Sequence, residues 1–299
     1  MVIWLIRNRH HFKFKMGRNY FDPKREAIVK LRKETEEAGL KFGKIPAGIS
    51  ITPDSIGTMT AEWMSLENAD PQKIILYFHG GMYLIGSARG HRVHVAKFVK
   101  GTGINALTFD YRLAPEHPFP AGINDAVDAY EFLLAKNFDP KKILFVGDSA
   151  GAGLCLATLL ALKDKKLPLP AAAAVLSPWT DLTLSGSSYQ TNKYSCVSPL
   201  GSSEYASSYY AGNNDRKHPH ISPLFGDLKG LPPLHISAGS KEILLDDSVQ
   251  FAKKAKEAGV DVTLTIGDGM CHCFPAFGNL LPESKETLNE ILAFLKKHV

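Results

Sequence analysis

From Lys73 onward, short apolar runs alternate with longer stretches of helical period. Residues 74–78, 106–109, 143–146, 172–176, 234–238 and 260–266 read as strands, and 93–99, 124–136, 154–162, 248–258 and 283–297 as helices. Strands that are apolar almost throughout and joined by helices predict a mostly parallel sheet covered on both faces, an α/β fold. Upstream, Asp22 and Pro23 open a helical stretch through Ala27, Ile28, Leu31 and Thr35 that stops near Gly39. Residues 59–66 alternate loosely as an early strand before the turn Asn68-Ala69-Asp70-Pro71. Between 179 and 219 the rhythm breaks: the chain becomes rich in Ser, Tyr, Asn and Gly, with little strand pattern. A connection of that length in a compact domain reads as a lid or binding loop. The expected organisation is therefore residues 1–50 as an extension with cap helices, and 51–299 as one α/β domain with a cap insertion at about 179–219.

Composition narrows the function classes. The 299 residues are 44% hydrophobic and 22% charged, ordinary for a globular protein, with no internal repeat and no stretch long enough to span a membrane. The net charge of +5 is carried wholly by Arg7, Arg9, Lys13, Lys15 and Arg18. The rest is neutral, which argues against nucleic acid as a partner. Residues 1–18 fit an amphipathic anchor or lid less well than a peripheral extension. The apolar part, 2–6, is too short for a signal-peptide core, so a cytoplasmic location is expected. Cys155, Cys196, Cys271 and Cys273 form no disulfide framework in a chain this long. Cys271-His272-Cys273 lacks a second ligand cluster at zinc spacing, so no metal is expected.

The sharpest signal is Gly147-Asp148-Ser149-Ala150-Gly151, set between the apolar run 143–146 and the helical run 154–162. A serine on a strand-to-helix turn flanked by glycines is the pattern of a nucleophile elbow. The helix behind it points N–H groups and its positive dipole end at developing negative charge. A serine hydroxyl needs a base and an orienting acid, and the expected chain order is serine, acid, histidine. His272, in the loop after 260–266, fits the base; His10, His11, His79, His117, His218, His220 and His235 fit less well by position. The acid is expected in the loop after 234–238: Glu242 lies in its first turn and is preferred, with Asp246 as the alternative, since Asp246 and Asp247 read as the first turn of a helix. His79-Gly80-Gly81 follows a strand directly, and the N–H groups of Gly80, Gly81 and Ala150 are the expected oxyanion hole.

These motifs, together with the stretch from Asp110-Tyr111-Arg112-Leu113-Ala114-Pro115 to Ala121, Ser177-Pro178-Trp179-Thr180-Asp181-Leu182 and Ser222-Pro223-Leu224, resemble the hormone-sensitive lipase family of α/β-hydrolases over roughly residues 70 to 299. The resemblance implies a carboxylesterase acting on small-molecule esters with short to medium acyl chains, needing no cofactor, with a helical cap and in many members a homodimer. It also implies that residues 110–121 brace the oxyanion loop and the elbow. Met82 departs from the family's usual third glycine, which implies a narrowed pocket and poor turnover of bulky tertiary-alcohol esters; Ala152 departs in a similar way. Tyr83, Trp179, Tyr209 and Tyr210 are expected pocket walls, and oxidation of Cys271 or Cys273 is expected to disturb His272. The leaving group is left open by the triad itself, so an amidase or deacetylase is the enzymatic alternative. A hydrolase-like binding protein without catalysis would be expected to lack a triad member.

Overall fold

The computed structural model describes residues 21–41 and 43–299; the expectations for residues 1–18 lie outside them. Eight strands among the described residues form one sheet in the order β1-β2-β4-β3-β5-β6-β7-β8. They are β1 (Ile49–Ile56), β2 (Met59–Leu66), β3 (Ile74–Phe78), β4 (Asn105–Phe109), β5 (Ile143–Asp148), β6 (Ala172–Leu176), β7 (Leu234–Gly239) and β8 (Val262–Gly267). From β4 to β8 every pairing is parallel, while β1 and β2 join antiparallel. Strands β3, β5, β6 and β7 are buried at every residue, which is why their sequences are predominantly apolar.

Alternate residues of one strand feed two cores. Leu76 and Phe78 pack on one face with residues of α3 (Ala121–Ala135), α4 (Ser149–Asp164) and α7 (Leu245–Glu257); Ile75 and Tyr77 pack on the other with α2 (Ala88–Thr102) and α8 (Pro282–Lys297). Helix α4 is apolar on all sides and buried from Ala150 through Leu162, as befits a helix under the middle of a sheet. The helices α5 (Ser188–Thr191) and α6 (Ser202–Ala211) lie in the long connection between β6 and β7, which contains no strand.

The strand β1 was not expected from the pattern. Its sequence, ISITPDSI, carries Pro53 and Asp54 in its middle and has one buried residue, so it offers neither an apolar run nor strict alternation. Its position is fixed by pairing: Ile49 faces Leu66 and Ile56 faces Met59 across a tight turn in which Gly57 adopts φ 60°.

Helix α1 (Arg25–Lys41) buries only Ile28, and polar side chains tie it down, Arg32 with the most bonds. Arg32 donates to the carbonyl of Leu84 (2.7 Å), to that of Ala114 (2.9 Å) and, through both terminal nitrogens, to the Glu116 carboxylate. The Arg32 guanidinium holds the Glu116 carboxyl below its ordinary range. Hydrogen bonds to charged groups contribute about 1.5–3 kcal/mol each at most. Replacing Arg32→Ala is expected to lower stability by about 2–3 kcal/mol, read as a shift of the urea midpoint; an unchanged midpoint would mean that α1 docks without it.

Candidate active site

The C-terminal ends of β3, β5, β6, β7 and β8 lie along one edge of the sheet, where α/β proteins bind ligands. At the end of β5 the chain turns sharply into α4, and Ser149 sits on that turn with φ 56°. Positive φ at a non-glycine residue stores strain and marks an elbow held by its surroundings. The glycines explain how the turn fits. A Cβ on Gly151 would lie 2.2 Å from the Phe78 carbonyl oxygen and 2.3 Å from that of His79; one on Gly147 would lie 2.8 Å from the Gly151 carbonyl oxygen. The elbow and the loop after β3 are thus in backbone contact.

That loop is pinned on every side. The Tyr111 hydroxyl donates to the His79 carbonyl (2.8 Å), and the Tyr111 ring stacks on His79 with centroids 4.3 Å apart. Burial, and then His91 beside it, push His79 down to about 3, so the ring is neutral and the proton on Nδ1 is donated to the Gly80 carbonyl (2.9 Å). The amides of Leu84 and Ile85 donate to the Gly81 carbonyl at 3.0 and 2.9 Å. The Gly80 amide donates to Asp148 Oδ1 at 3.0 Å in a buried setting. Gly80 was expected among the oxyanion donors, and this bond removes it, because its one N–H is already used. The next amides, of Gly81 (φ 128°) and Met82 (φ 60°), follow it at the same turn.

Glu242 and His272 meet across the ends of β7 and β8. His272 Nδ1 hydrogen-bonds Glu242 Oε2, and Glu242 is fully buried. The other carboxylate oxygen, Oε1, accepts from Ser177 Oγ (2.9 Å) and from the Gly239 amide (2.8 Å). Burial works against a protonated His272, but the Cys273 sulfur and the Glu242 carboxylate outweigh it and raise the imidazole well above its ordinary value. Burial also pushes the Cys273 thiol up. Asp246, the alternative acid, is engaged elsewhere: its Oδ2 accepts from Ser187 Oγ (2.7 Å) and the Ser188 amide (3.0 Å), at the start of α5. Asp247 holds the loop after β6 by accepting from the amides of Thr180 and Asp181.

Ser149, His272, Gly81 and Met82 line one cavity of about 280 Å³, with Thr35 and Glu36 of α1 and Ser198 and Pro199 of the long connection among its other walls. A second cavity of about 310 Å³ shares Ser198 and Pro199.

A family model described as alpha/beta hydrolase fold matches residues 75–276. An acetyl-hydrolase of Streptomyces hygroscopicus is 40% identical over 254 residues, 84% of this chain and 83% of that protein, and an esterase of Acinetobacter venetianus is 36% identical over 248 residues, 82% of each. The crystal structure of an esterase from the bacterial hormone-sensitive lipase family superposes with a TM-score of 0.88 at 38% identity, covering 99% of this chain and 96% of that one. This chain belongs to the α/β-hydrolases, in their hormone-sensitive lipase branch of esterases.

Within this α/β-hydrolase the four aromatic residues expected as pocket walls are not wall residues of the cavity. Tyr83, Trp179 and Tyr210 are at most 3% exposed; Tyr83 stacks on Tyr210 with centroids 3.8 Å apart and lies 5.9 Å from Trp179. They form core beneath the site because three large rings bury more surface together than each would against solvent. Tyr209 is half-buried, and its hydroxyl donates to the Pro23 carbonyl at 3.0 Å. Smaller side chains, Met82, Ile85 and Pro199, shape the cavity instead. Two positioning groups went unassigned in the sequence: Ser177, which donates to Glu242 and accepts from the Cys273 amide (2.9 Å), and Asp148. Ser177 stood in a quoted motif, and its φ of 50° is the backbone cost of aiming the hydroxyl at both partners.

Cys271 is buried among Met270, Phe274 and Leu281, whereas Cys273 lines the cavity with its Sγ 3.6 Å from His272 Nε2. Among the described residues no group of three or more His, Cys, Asp and Glu side chains is placed to hold a metal, and no helix is long and apolar enough to cross a membrane.

The backbone contact at Gly151 gives a sharp expectation. Gly151→Ala should destabilise the protein by about 3 kcal/mol or more, and any folded fraction should lose hydrolysis, because elbow and loop must separate. A variant with unchanged melting and unchanged rate would disprove that contact.

Proposed function

We propose that this chain is a serine carboxylesterase for short- to medium-chain acyl esters. The observation that carries the reading is a buried Glu242 bonded to His272, in one cavity with a strained serine. Ser149 Oγ attacks the ester carbonyl while His272 Nε2 takes its proton; Glu242 orients the imidazole through Nδ1 and offsets the imidazolium charge. The oxyanion is stabilised by the amides of Gly81, Met82 and Ala150, with the N-terminal end of α4 behind them. Collapse of the tetrahedral intermediate expels the alcohol with the proton from His272 and leaves an acyl-Ser149. Water, deprotonated by the same histidine, attacks that acyl group, releasing the acid and restoring the serine hydroxyl.

Helix α1 and the connection between β6 and β7, which supply Thr35, Glu36, Ser198 and Pro199, act as the cap over a domain spanning about 51–299. A cavity of about 280 Å³ suits a short acyl group and falls at the small end for ligand sites, and the wall shared with the second cavity is where longer chains are admitted or stopped. Relatives named acetyl-hydrolase and esterase support this substrate class.

Rates on p-nitrophenyl esters from acetate to palmitate should peak at short chains, and Ser149→Ala should abolish them. Glu242→Gln should lower kcat by roughly 10⁴, while Asp246→Asn should retain most of it; the reverse ranking would move the acid to Asp246. The base must be neutral, so activity rises as pH climbs through the His272 pKa. Removing the Glu242 charge lets that pKa fall, and the acid limb of the residual Glu242→Gln activity should move to lower pH. A phenyl acetate turned over far faster than its acetanilide would separate esterase from amidase.

A further inference from the structure

Behind the loop of proposed oxyanion donors lies a buried charge that the mechanism above does not use. Asp148 precedes the serine, yet its carboxylate makes no cap to α4. Its Oδ1 instead accepts from the Tyr77 hydroxyl (2.9 Å) and the Gly80 amide (3.0 Å) and faces His91 Nε2 at 3.7 Å. Gly80 is pressed against it: a Cβ there would stand 2.1 Å from Asp148 Oδ2. The loop cannot keep its place unless the carboxylate keeps its own.

His91 is held for this contact. Its Nδ1 lies 3.0 Å from the Ser87 carbonyl, which leaves Nε2 toward Asp148. The start of α2 is itself fixed: the Ala88 amide donates to Asp110 Oδ1 (2.6 Å), Ser87 Oγ accepts from the Gly90 amide (3.0 Å), and the same hydroxyl donates to Glu36 (2.7 Å). The groups facing His91 are Tyr77 and His79 from β3 and its loop, Asp148 from β5, Asp110 after β4, and His94 on its own helix. Burial disfavours its charged form, but Asp148 outweighs burial and raises it; for His79 and His94 burial, and then the neighbouring His91, outweigh Asp148 and push the rings down to about 3 and about 4. Of these three histidines His91 is the one that is raised, and its Nε2 is the atom turned toward the carboxylate. An unpaired carboxylate in so buried a place would be strongly disfavoured.

We propose that His91 is a positioning residue for ester hydrolysis: as an imidazolium it neutralises Asp148 and so fixes the carboxylate that anchors Gly80 and, one and two residues on, the amides of Gly81 and Met82. This rests on the esterase reading above. The role acts in the transition state, where the oxyanion is formed, rather than in binding the ester.

The test is steady-state kinetics on p-nitrophenyl acetate with the full chain, His91→Gln, Asp148→Asn and the double variant. His91→Gln should lower kcat by roughly 10–100-fold with KM within about twofold. Asp148→Asn keeps an acceptor oxygen for Gly80 and removes the charge that His91 answers, so the double variant should regain at least about tenfold over His91→Gln alone. If His91→Gln fails to fold, the double variant should fold and hydrolyse ester; a double variant as unfolded as the single would overturn the proposal. So would an unchanged kcat, a rise in KM alone, or strictly additive effects. Those outcomes leave the esterase reading standing, whereas an unmodified protein whose rate equals that of Ser149→Ala would overturn both.

Discussion

The carbonyl oxygens of Phe78 and His79 stand where a side chain on Gly151 would have to be. From that one close approach much of the site follows. Two parallel strands, β3 and β5, are adjacent in the sheet, and the chain leaves each at the same edge, once as a loop and once as a helix. For both exits to share the space, one must be glycine at the crossing and the other must be pinned from outside. The sharp turn at Ser149 and the dense bonding of residues 79–81 are the two halves of this constraint.

His272 is positioned by the same economy of elements. Ser177 at the end of β6 bridges the Glu242 loop after β7 and the His272 loop after β8, so three neighbouring strand ends are joined through one hydroxyl. A buried carboxylate with both oxygens occupied cannot turn away from His272. Orientation therefore comes from the sheet, whose register fixes the spacing of those ends, more than from the loops that carry the functional groups.

Most of the fold was legible because the central parallel strands are buried on both faces and cannot disguise their composition. The edge strand β1 could not be read in the same way: its partner, and not its own pattern, makes it a strand. The serine, the histidine and the glutamate could be placed by chain order, since each follows a recognisable strand. The engagement of the Gly80 amide could not be read, because a glycine pair looks the same whether its amides are free or spent, and only the position of Asp148 distinguishes Gly80 from Gly81. The aromatic residues misled for a related reason. Proximity in sequence to the site says nothing about whether a ring faces the cavity or the core below it, and Tyr83 and Tyr210 face each other.

Helix α1 both walls the cavity, through Thr35 and Glu36, and is fastened by Arg32 to carbonyls of the frame. A wall so fastened makes a poor door. Swinging α1 outward would break the bonds to Leu84, Ala114 and Glu116 together, a barrier on the order of several kcal/mol, and would also disturb the segment that braces His79. Passage into the cavity by that side is therefore slow compared with any route that leaves Arg32 in place.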